Sequence, residues 1–191
     1  MRKIEKRSIF CLILAALLGL GLAFFCFQFV VDGGDWASYP YNRHLYNNAG
    51  QLKGGTILDR DGDMLSTLDE DGNRIYNDDA TVRRATLHAV GDKNGNIGAG
   101  ALTSFADKLS GYNLLTGVYS PLGTGNSLYL TIDAYLNNVA YQALNGMNGT
   151  VGVYNYKTGE ILCMVSTPTF DPANPPDIAA DDPAWDGVYV N

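Results

Sequence analysis

An uncharged apolar segment near the N-terminus constrains this chain more than any other feature. It runs from Ile9 to Val31, is interrupted only by Gln28, and follows four basic residues among the first seven positions. As an α-helix it would reach roughly 35 Å, which is enough to cross the hydrocarbon core of a bilayer with some tilt. We therefore predict a transmembrane helix at residues 9–31.

A cleaved signal peptide and a lipoprotein anchor are the alternatives. A signal peptide needs a shorter apolar region that ends at small residues, whereas this one ends among Phe24, Phe25, Phe27 and Phe29. A lipid anchor on Cys26 would need a small residue where Phe25 stands. We therefore expect an uncleaved single-pass signal anchor, with residues 1–8 in the cytoplasm and the bulk of the chain outside.

Charge and cysteine content exclude several classes of protein. The net charge is −7, and the basic residues cluster at the N-terminus, so the remainder is more acidic still. An acidic surface of this kind is not expected to bind nucleic acid. Of three cysteines, Cys11 and Cys26 lie in the apolar segment and only Cys163 lies beyond it, so we expect neither a disulfide in the outer part nor a zinc cluster. We predict no cofactor and no metal.

The stretch from Ser127 to Pro172 predicts a strand, a helix and a hairpin in succession. Residues Ser127–Ile132 are rich in β-formers, and Asp133 stands where a helix N-cap is expected. One apolar helical stripe follows, made of Leu136, Val139, Ala140, Ala143 and Leu144, and Gly146 should end the helix.

Two strands, Thr150–Tyr154 and Glu160–Ser166, should then pair through a turn that contains Gly159. Both faces of the second strand are apolar, which predicts burial on both sides in a layered α+β domain.

Four motifs in this stretch carry a resemblance to a known family. They are Leu130–Asp133, Asn148–Val153, Lys157–Leu162 and Ser166–Pro172. Their order, spacing and residue types, over about forty-five positions, resemble the opening of the transpeptidase domain of class B penicillin-binding proteins, which are bacterial plasma-membrane enzymes. The resemblance implies that residues 123–191 begin such a domain and do not complete it.

The region upstream resembles the non-catalytic N-terminal part of the same family. Residues Gly54–Leu65 predict a hairpin with a polar turn at Asp59–Asp63, and match the motif that opens this part, except that Gly54 stands where the family usually has Arg. Residues 83–111 resemble the linker and short helix before the transpeptidase domain. We expect Arg83 and Arg84 to form a solvated or ion-paired surface, a small anion site being the alternative, and His88 to be a packed strand residue.

The resemblance gives a domain organisation and a set of structural motif residues. We expect a juxtamembrane linker at 32–50, in which Trp36 and Tyr39 lie at the membrane interface and His44 is exposed. A β-rich, pedestal-like region should occupy 51–122. The predicted structural motif residues are Asp59, Arg60, Gly62, Thr131, Asp133, Gly159, Asp171 and Pro172.

A calcium loop is a competing interpretation of the first hairpin. Asp59, Asp61, Asp63 and Glu70 occupy positions 1, 3, 5 and 12 of an EF-hand-like loop. However, Met64 takes the position where such a loop needs glycine, and no helix pattern flanks it. We favour the hairpin. A calcium-dependent wall-binding protein remains the corresponding hypothesis.

The family's catalytic motifs are the last test of the sequence. Penicillin-binding enzymes use a Ser three residues before a Lys, and no lysine of this chain has a serine at that distance. Ser-x-Asn is absent too, and Lys157–Gly159 spells the third motif but falls in the predicted hairpin turn. We predict no catalytic residue here.

The resemblance implies that the parent protein cross-links peptidoglycan by D,D-transpeptidation through an acyl-serine, and that this chain is inactive alone. The implied partners are the lipid bilayer, a membrane glycosyltransferase and, once the domain is complete, peptidoglycan stem peptides and β-lactams. The alternative is a non-catalytic, membrane-anchored interaction module in cell-wall synthesis.

Overall fold

The computed structural model describes residues 2–37, 54–111, 125–176 and 188. Its first element, α1 (Arg2–Ala37), contains the predicted apolar helix and extends past it on both sides. Within α1, Lys6–Gly33 is long and apolar enough to cross a membrane, with a mean hydropathy of 2.8 over the most apolar part. The apolar helix is thus confirmed, while its insertion in a membrane stays a prediction from length and composition.

A four-stranded sheet follows, built from β1 (Thr56–Leu58), β2 (Met64–Leu68), β3 (Arg74–Tyr76) and β4 (Ser127–Tyr129). The strand order is β3-β2-β1-β4. Neighbours β3, β2 and β1 pair antiparallel, whereas β4 pairs parallel to β1. The sheet therefore joins three strands of the N-terminal region to the strand that leads into the second half of the chain. β4 is shorter than the predicted Ser127–Ile132.

Among the described residues, three helices lie between β3 and β4, so the described part of residues 51–122 is mixed rather than β-rich. They are α2 (Ala80–Val90), α3 (Ala101–Ser104) and α4 (Ala106–Ser110). The strand predicted around His88 is wrong, because that residue lies within α2. Asp79 caps α2 by accepting from the Thr81 amide, and Gly91, at φ 94°, ends it.

The second half of the chain contains α5 (Ala134–Leu144), β5 (Gly149–Tyr154) and β6 (Ile161–Thr167). β5 and β6 pair antiparallel, with Val151 opposite Val165. On one face of β6, Cys163 and Val165 are fully buried against α5 but Ile161 is exposed, and on the other face Leu162 and Met164 are only half-buried. The expectation of complete burial on both faces was therefore wrong for the described chain.

The main core lies where residues 54–111, the first half, meet residues 125–176, the second half. It contains Ile57 and Leu65 from the sheet, Leu109 from α4, Ile132 from the segment before α5, and Ala134, the first residue of α5. A second cluster joins α5 to β6 through Ala140, Cys163 and Val165. The α+β class is confirmed, and the core places residues from both predicted regions in one apolar cluster.

Candidate functional site

The turn between β1 and β2 is organised by the buried carboxylate of Asp59. Its Oδ1 accepts from the amides of Asp61 and Asp63, both at 2.9 Å. Gly62 completes the turn at φ 93°, a conformation that favours glycine. The other oxygen, Oδ2, accepts from the Ala134 amide at 3.1 Å. This single side chain therefore shapes the turn and reaches the start of α5.

The turn contacts the second half of the chain at a further point, through its backbone. The Arg60 amide donates to the Ile132 carbonyl at 3.0 Å. Motif residues Asp59, Arg60 and Gly62 therefore meet the segment that holds Thr131 and Asp133. Sequence analysis predicted both motifs but not their contact.

This geometry bears on the calcium-loop alternative. The Asp59 oxygens accept three backbone hydrogen bonds, whereas Asp61 and Asp63 are exposed. Among the residues that the structure describes, no group of three acidic, histidine or cysteine side chains converges to hold an ion. The Asp59 carboxylate is thus committed to amide donors, which is the role of a turn residue.

Thr131 and Asp133 connect the start of α5 to β6. Asp133 caps the helix, as predicted, by accepting from the Leu136 amide at 2.9 Å. The Asp133 amide donates to the Leu162 carbonyl at 2.9 Å, and the Thr131 hydroxyl donates to the Ile161 carbonyl at 2.8 Å. The motif thus fixes both the helix and the strand beside it.

Asn137 is a structural residue that sequence reasoning missed. Its side chain is fully buried, and its Oδ1 accepts from the Met164 amide at 3.1 Å. Its Nδ2 donates to the Asp133 carbonyl at 2.7 Å and more weakly to the Leu162 carbonyl at 3.4 Å. The side-chain amide therefore bonds to β6 as a peptide group of a neighbouring strand would. One signal was available in the sequence. Asn137 lies three residues before Ala140 of the apolar stripe, and residues at that spacing lie on the same side of a helix.

The second connection between the halves is an ion pair. Arg83 Nε donates to one oxygen of Asp171 and Nη2 donates to the other, both at 2.7 Å. The remaining nitrogen, Nη1, donates to the carbonyls of Asn77 and Asp78. The Arg83 hydrogen bonds hold the pKa of Asp171 below its usual range, and Asp171 in turn raises the pKa of Arg83.

The ion pair refines the expectation for the two arginines. Arg83 pairs with Asp171, 88 positions away, while Arg84 is exposed. Pro172, next to Asp171, is fully buried, and the Thr169 hydroxyl donates to the Arg84 carbonyl at 2.9 Å. The Asp-Pro motif is therefore held against α2.

His88 is buried in α2, on the side that faces Val188. Its Nε2 lies 2.8 Å from the Val188 carbonyl, and Val188 packs with Leu87, Ile97 and Phe170. Burial lowers the pKa of His88, which the bond to Val188 offsets in part. The imidazole is thus packed, as expected, but on a helix rather than a strand.

Arg74 is a second residue that sequence reasoning missed. Its buried guanidinium donates from Nη1 to the Gly55 carbonyl and from Nη2 to the Gly54 carbonyl, both at 2.7 Å. Burial lowers the pKa of Arg74 to about 10, so the group remains charged at neutral pH. An arginine from β3 therefore binds the backbone of the two residues that lead into β1.

The remaining predicted sites lie apart from these contacts or outside the described residues. Gly159 lies in an exposed turn at φ 79°, and Lys157 is exposed there too, 5.7 Å from the centre of the Tyr156 ring. The side chain of Trp36, together with Tyr39, His44 and most of the juxtamembrane linker, falls outside the described residues.

Two curated relatives are similar to a short part of the chain. The peptidoglycan D,D-transpeptidase MrdA of Acinetobacter baumannii is 48% identical over 48 residues, which is 25% of this chain and 7% of that protein. MrdA of Haemophilus influenzae is 41% identical over 51 residues, or 27% of this chain and 8% of the relative. The matched parts thus span less than a tenth of either relative. No family model matches the sequence.

Solved structures resemble a larger part of the chain. A crystal structure of Pseudomonas aeruginosa PBP2 in complex with WCK 5153 aligns with a TM-score of 0.50 and 25% identity, covering 64% of this chain and 29% of that one. A D,D-transpeptidase domain of a peptidoglycan glycosyltransferase from Eggerthella lenta aligns with a TM-score of 0.46 and 28% identity, covering 63% and 27% respectively. The motifs, the MrdA relatives and the likeness to PBP2 all support the interpretation of this chain as similar to part of a class B penicillin-binding protein.

Proposed function

We propose that this chain is the membrane-anchored N-terminal part of a peptidoglycan D,D-transpeptidase. In this proposal residues 54–111 support the enzyme without taking part in chemistry, and residues 125–176 begin the transpeptidase domain. The activity of the whole protein is the acylation of an active serine by the D-alanyl-D-alanine end of a stem peptide, followed by transfer to an amine of a neighbouring stem. The names of the MrdA relatives support this activity.

The observation that carries the proposal is the double connection between the two halves. Asp59 reaches the Ala134 amide at one end of the interface, and Arg83 binds Asp171 at the other. Both connections join residues of the structural motifs to elements far away in the chain, and both use charge-assisted hydrogen bonds, which are the stronger ones. Such contacts suit a region whose role is to hold the transpeptidase domain in a fixed position.

The apolar helix supports the anchoring part of the proposal. None of the most apolar part of Lys6–Gly33 is buried by the rest of the described chain, so that surface is available to lipid. The basic residues that precede it favour a cytoplasmic N-terminus, with the residues after α1 on the outer side of a bacterial plasma membrane. Contact with a membrane glycosyltransferase belongs to the same proposal and rests on the family resemblance.

Catalysis, in this proposal, belongs to residues other than these 191. The sequence contains no Ser-x-x-Lys, and Lys157 lies in an exposed turn rather than beside a nucleophile. Stem peptides and β-lactams would accordingly bind the completed domain. The chain by itself should bind no penicillin covalently.

A chimera with a relative tests the supporting role. Residues 54–176 would replace the corresponding region of Acinetobacter baumannii MrdA, and membranes would be labelled with a fluorescent penicillin. We expect the chimera to be labelled like native MrdA and the 191-residue chain alone to remain unlabelled. Penicillin on the 191-residue chain, or a folded chimera that is not labelled, would contradict the proposal.

The non-catalytic module makes a different prediction for the chain alone. It requires an outer part that is monomeric, resists proteases and unfolds cooperatively. The proposal made here predicts instead that the second half is protease-sensitive and prone to associate, because Tyr135, Val139 and Ile161 expose apolar surface. Limited proteolysis and size-exclusion chromatography of the full chain in detergent distinguish the two.

A further inference from the structure

Three segments of the chain approach one another most closely beside Gly55. A Cβ atom on Gly55 would lie 2.6 Å from Leu109 Cβ and 2.9 Å from the Leu109 carbonyl oxygen. A Cβ on Gly125 would lie 2.2 Å from the Gly55 nitrogen and 2.2 Å from the same carbonyl oxygen. Real Cβ atoms essentially never come within 3.0 Å of another heavy atom in this way, so only glycine fits at either position. We call this contact of Gly55, Leu109 and Gly125 the glycine crossing.

Hydrogen bonds join all three segments at the glycine crossing. The Asn126 amide donates to the Leu109 carbonyl at 3.0 Å, and the Thr56 amide donates to the Asn126 carbonyl at 3.0 Å. The Asn126 side chain adds a bond to the Lys108 carbonyl at 2.9 Å. The first described residues after α1, the end of α4 and the start of β4 are therefore bonded into one unit.

Arg74 holds the backbone of the first segment, at Gly54 and Gly55, through two hydrogen bonds. Gly54 and Gly55 both have positive φ, at 100° and 85°, and their carbonyls both accept from the Arg74 guanidinium. The planar guanidinium fork can satisfy two neighbouring carbonyls at once, which a lysine ammonium on a flexible stem does less well. Arg74 is thus a positioning residue for the chain that comes from the membrane side.

Two paired strands connect the glycine crossing to α5. Strand β1 begins directly after the crossing and β4 begins two residues beyond Gly125, and the two run parallel with Thr56 opposite Ser127 and Leu58 opposite Tyr129. At their far ends they are joined again by the bonds from Arg60 to Ile132 and from Ala134 to Asp59. The pair is therefore held at both ends.

We propose that the glycine crossing, positioned by Arg74, couples the membrane-proximal chain to the start of α5 through the paired strands β1 and β4. A displacement of the backbone at Gly54 and Gly55 would be passed along β1 to the Asp59 turn and from there to the N-terminus of α5. This inference rests on the proposed function, in which α1 is the membrane anchor and α5 belongs to the transpeptidase domain.

Hydrogen exchange on the full chain in lipid nanodiscs tests the coupling. Arg74→Lys keeps the charge but loses the fork, and Gly55→Ala introduces the clash directly. Gly72→Ala is the matched control, because Gly72, in the turn between β2 and β3, also has positive φ, at 80°, but has nothing within 4 Å of its missing Cβ. We expect Arg74→Lys to speed exchange of the Asp133 and Ala134 amides about tenfold, the effect of weakening roughly one hydrogen bond.

The reference for general destabilisation is helix α2, whose amides should keep their exchange rates in Arg74→Lys and in the Gly72 control. Faster exchange confined to Thr56 and Asn126 would overturn the inference, and so would equal acceleration in α2 and α5. Gly55→Ala should act in the same direction more strongly. Failure of the penicillin-labelling chimera would contradict the proposed function while leaving this exchange result in place, so the two failures are distinguishable.

Discussion

The carboxylate of Asp59 accepts a hydrogen bond from the amide of Ala134, the first residue of a helix that begins 75 positions later in the chain. Asp133 accepts from Leu136 in the same first turn. Two carboxylates therefore bind the free amides of α5 and face the positive end of its dipole. One of them belongs to the N-terminal region, so α5 depends on that region for part of its N-terminal capping.

Removal of the Asp59 side chain should destabilise the protein strongly. Asp59→Ala leaves three backbone amides without their acceptor, one of them buried, and we expect a loss of about 3 kcal/mol in the free energy of unfolding. Asp61→Ala is the control, since Asp61 is exposed, and should stay within about 0.5 kcal/mol of the wild type. Urea unfolding of the full chain in detergent, followed by pulse proteolysis, measures both. Equal effects of the two substitutions would contradict the role assigned to Asp59.

The Arg83–Asp171 pair should make stability depend on acid pH. The pKa of Asp171 is lowered in the folded chain, chiefly by the Arg83 hydrogen bonds. Its contribution is therefore complete above the unfolded value near 3.8 and is lost as the pH falls through the folded value. Asp171→Asn should cost about 2 kcal/mol at pH 7 and flatten the acid limb of the stability curve.

Part of that acid limb should survive in Asp171→Asn. The pKa values of Asp69 and Asp79 are also lowered, chiefly by backbone hydrogen bonds from Asn73 and Thr81. The matched control is Asp78→Asn, an exposed neighbour whose side chain should matter little. Unfolding curves between pH 2.5 and 7 decide the matter, and an unchanged acid limb in Asp171→Asn would contradict the assignment.

His88 should impose a separate dependence near neutral pH. Its folded pKa lies below the ordinary 6.5 because burial disfavours the imidazolium. Below pH 6.5 the unfolded chain takes up a proton that the folded chain does not, so stability should fall as the pH drops from 6.5 toward the folded pKa. His88→Gln should remove this slope while His44→Gln keeps it. A slope that persists in His88→Gln would refute the prediction.

What the sequence predicted well was local. The N-cap at Asp133 and the helix after it follow from residues within one or two turns, since a cap acts on amides two or three positions away. The glycine-containing turn at Gly159 is equally local. Such features depend on short-range geometry, which the residue types already specify.

The features that the sequence did not predict are contacts between residues far apart in the chain and a helix without an apolar period. Arg83 and Asp171 are far apart in sequence, and two aspartates closer to Arg83 were the obvious partners. Helix α2 is buried at every position from Ala85 to Val90, so this part lacks the one-sided apolar stripe, repeating about every 3.6 residues, that marks an amphipathic helix. In the sequence Arg74 looks like any charged residue of a short strand, because its hydrogen bond to the Gly54 carbonyl depends on the tertiary fold.

Substitutions of Asn137 test how α5 is attached to the two-stranded sheet of β5 and β6. Asn137→Ala would leave the Met164 amide without its acceptor and empty a fully buried space, so we expect a loss of about 3 kcal/mol in the free energy of unfolding. Asn137→Asp keeps an acceptor for the Met164 amide but buries a carboxylate against the Asp133 carbonyl oxygen, so it should destabilise the protein at least as much as Asn137→Ala.

Gln142→Ala is the matched control for this series, because Gln142 is exposed on the same helix and alanine is the better helix former. A second readout is the reactivity of Cys163, a residue of β6 that is fully buried against α5. In a background with Cys11→Ser and Cys26→Ser, Asn137→Ala should raise the rate of thiol labelling at Cys163, and Gln142→Ala should not. If Cys163 stays protected while stability falls, α5 is attached to β6 by its apolar contacts rather than by the Asn137 amide.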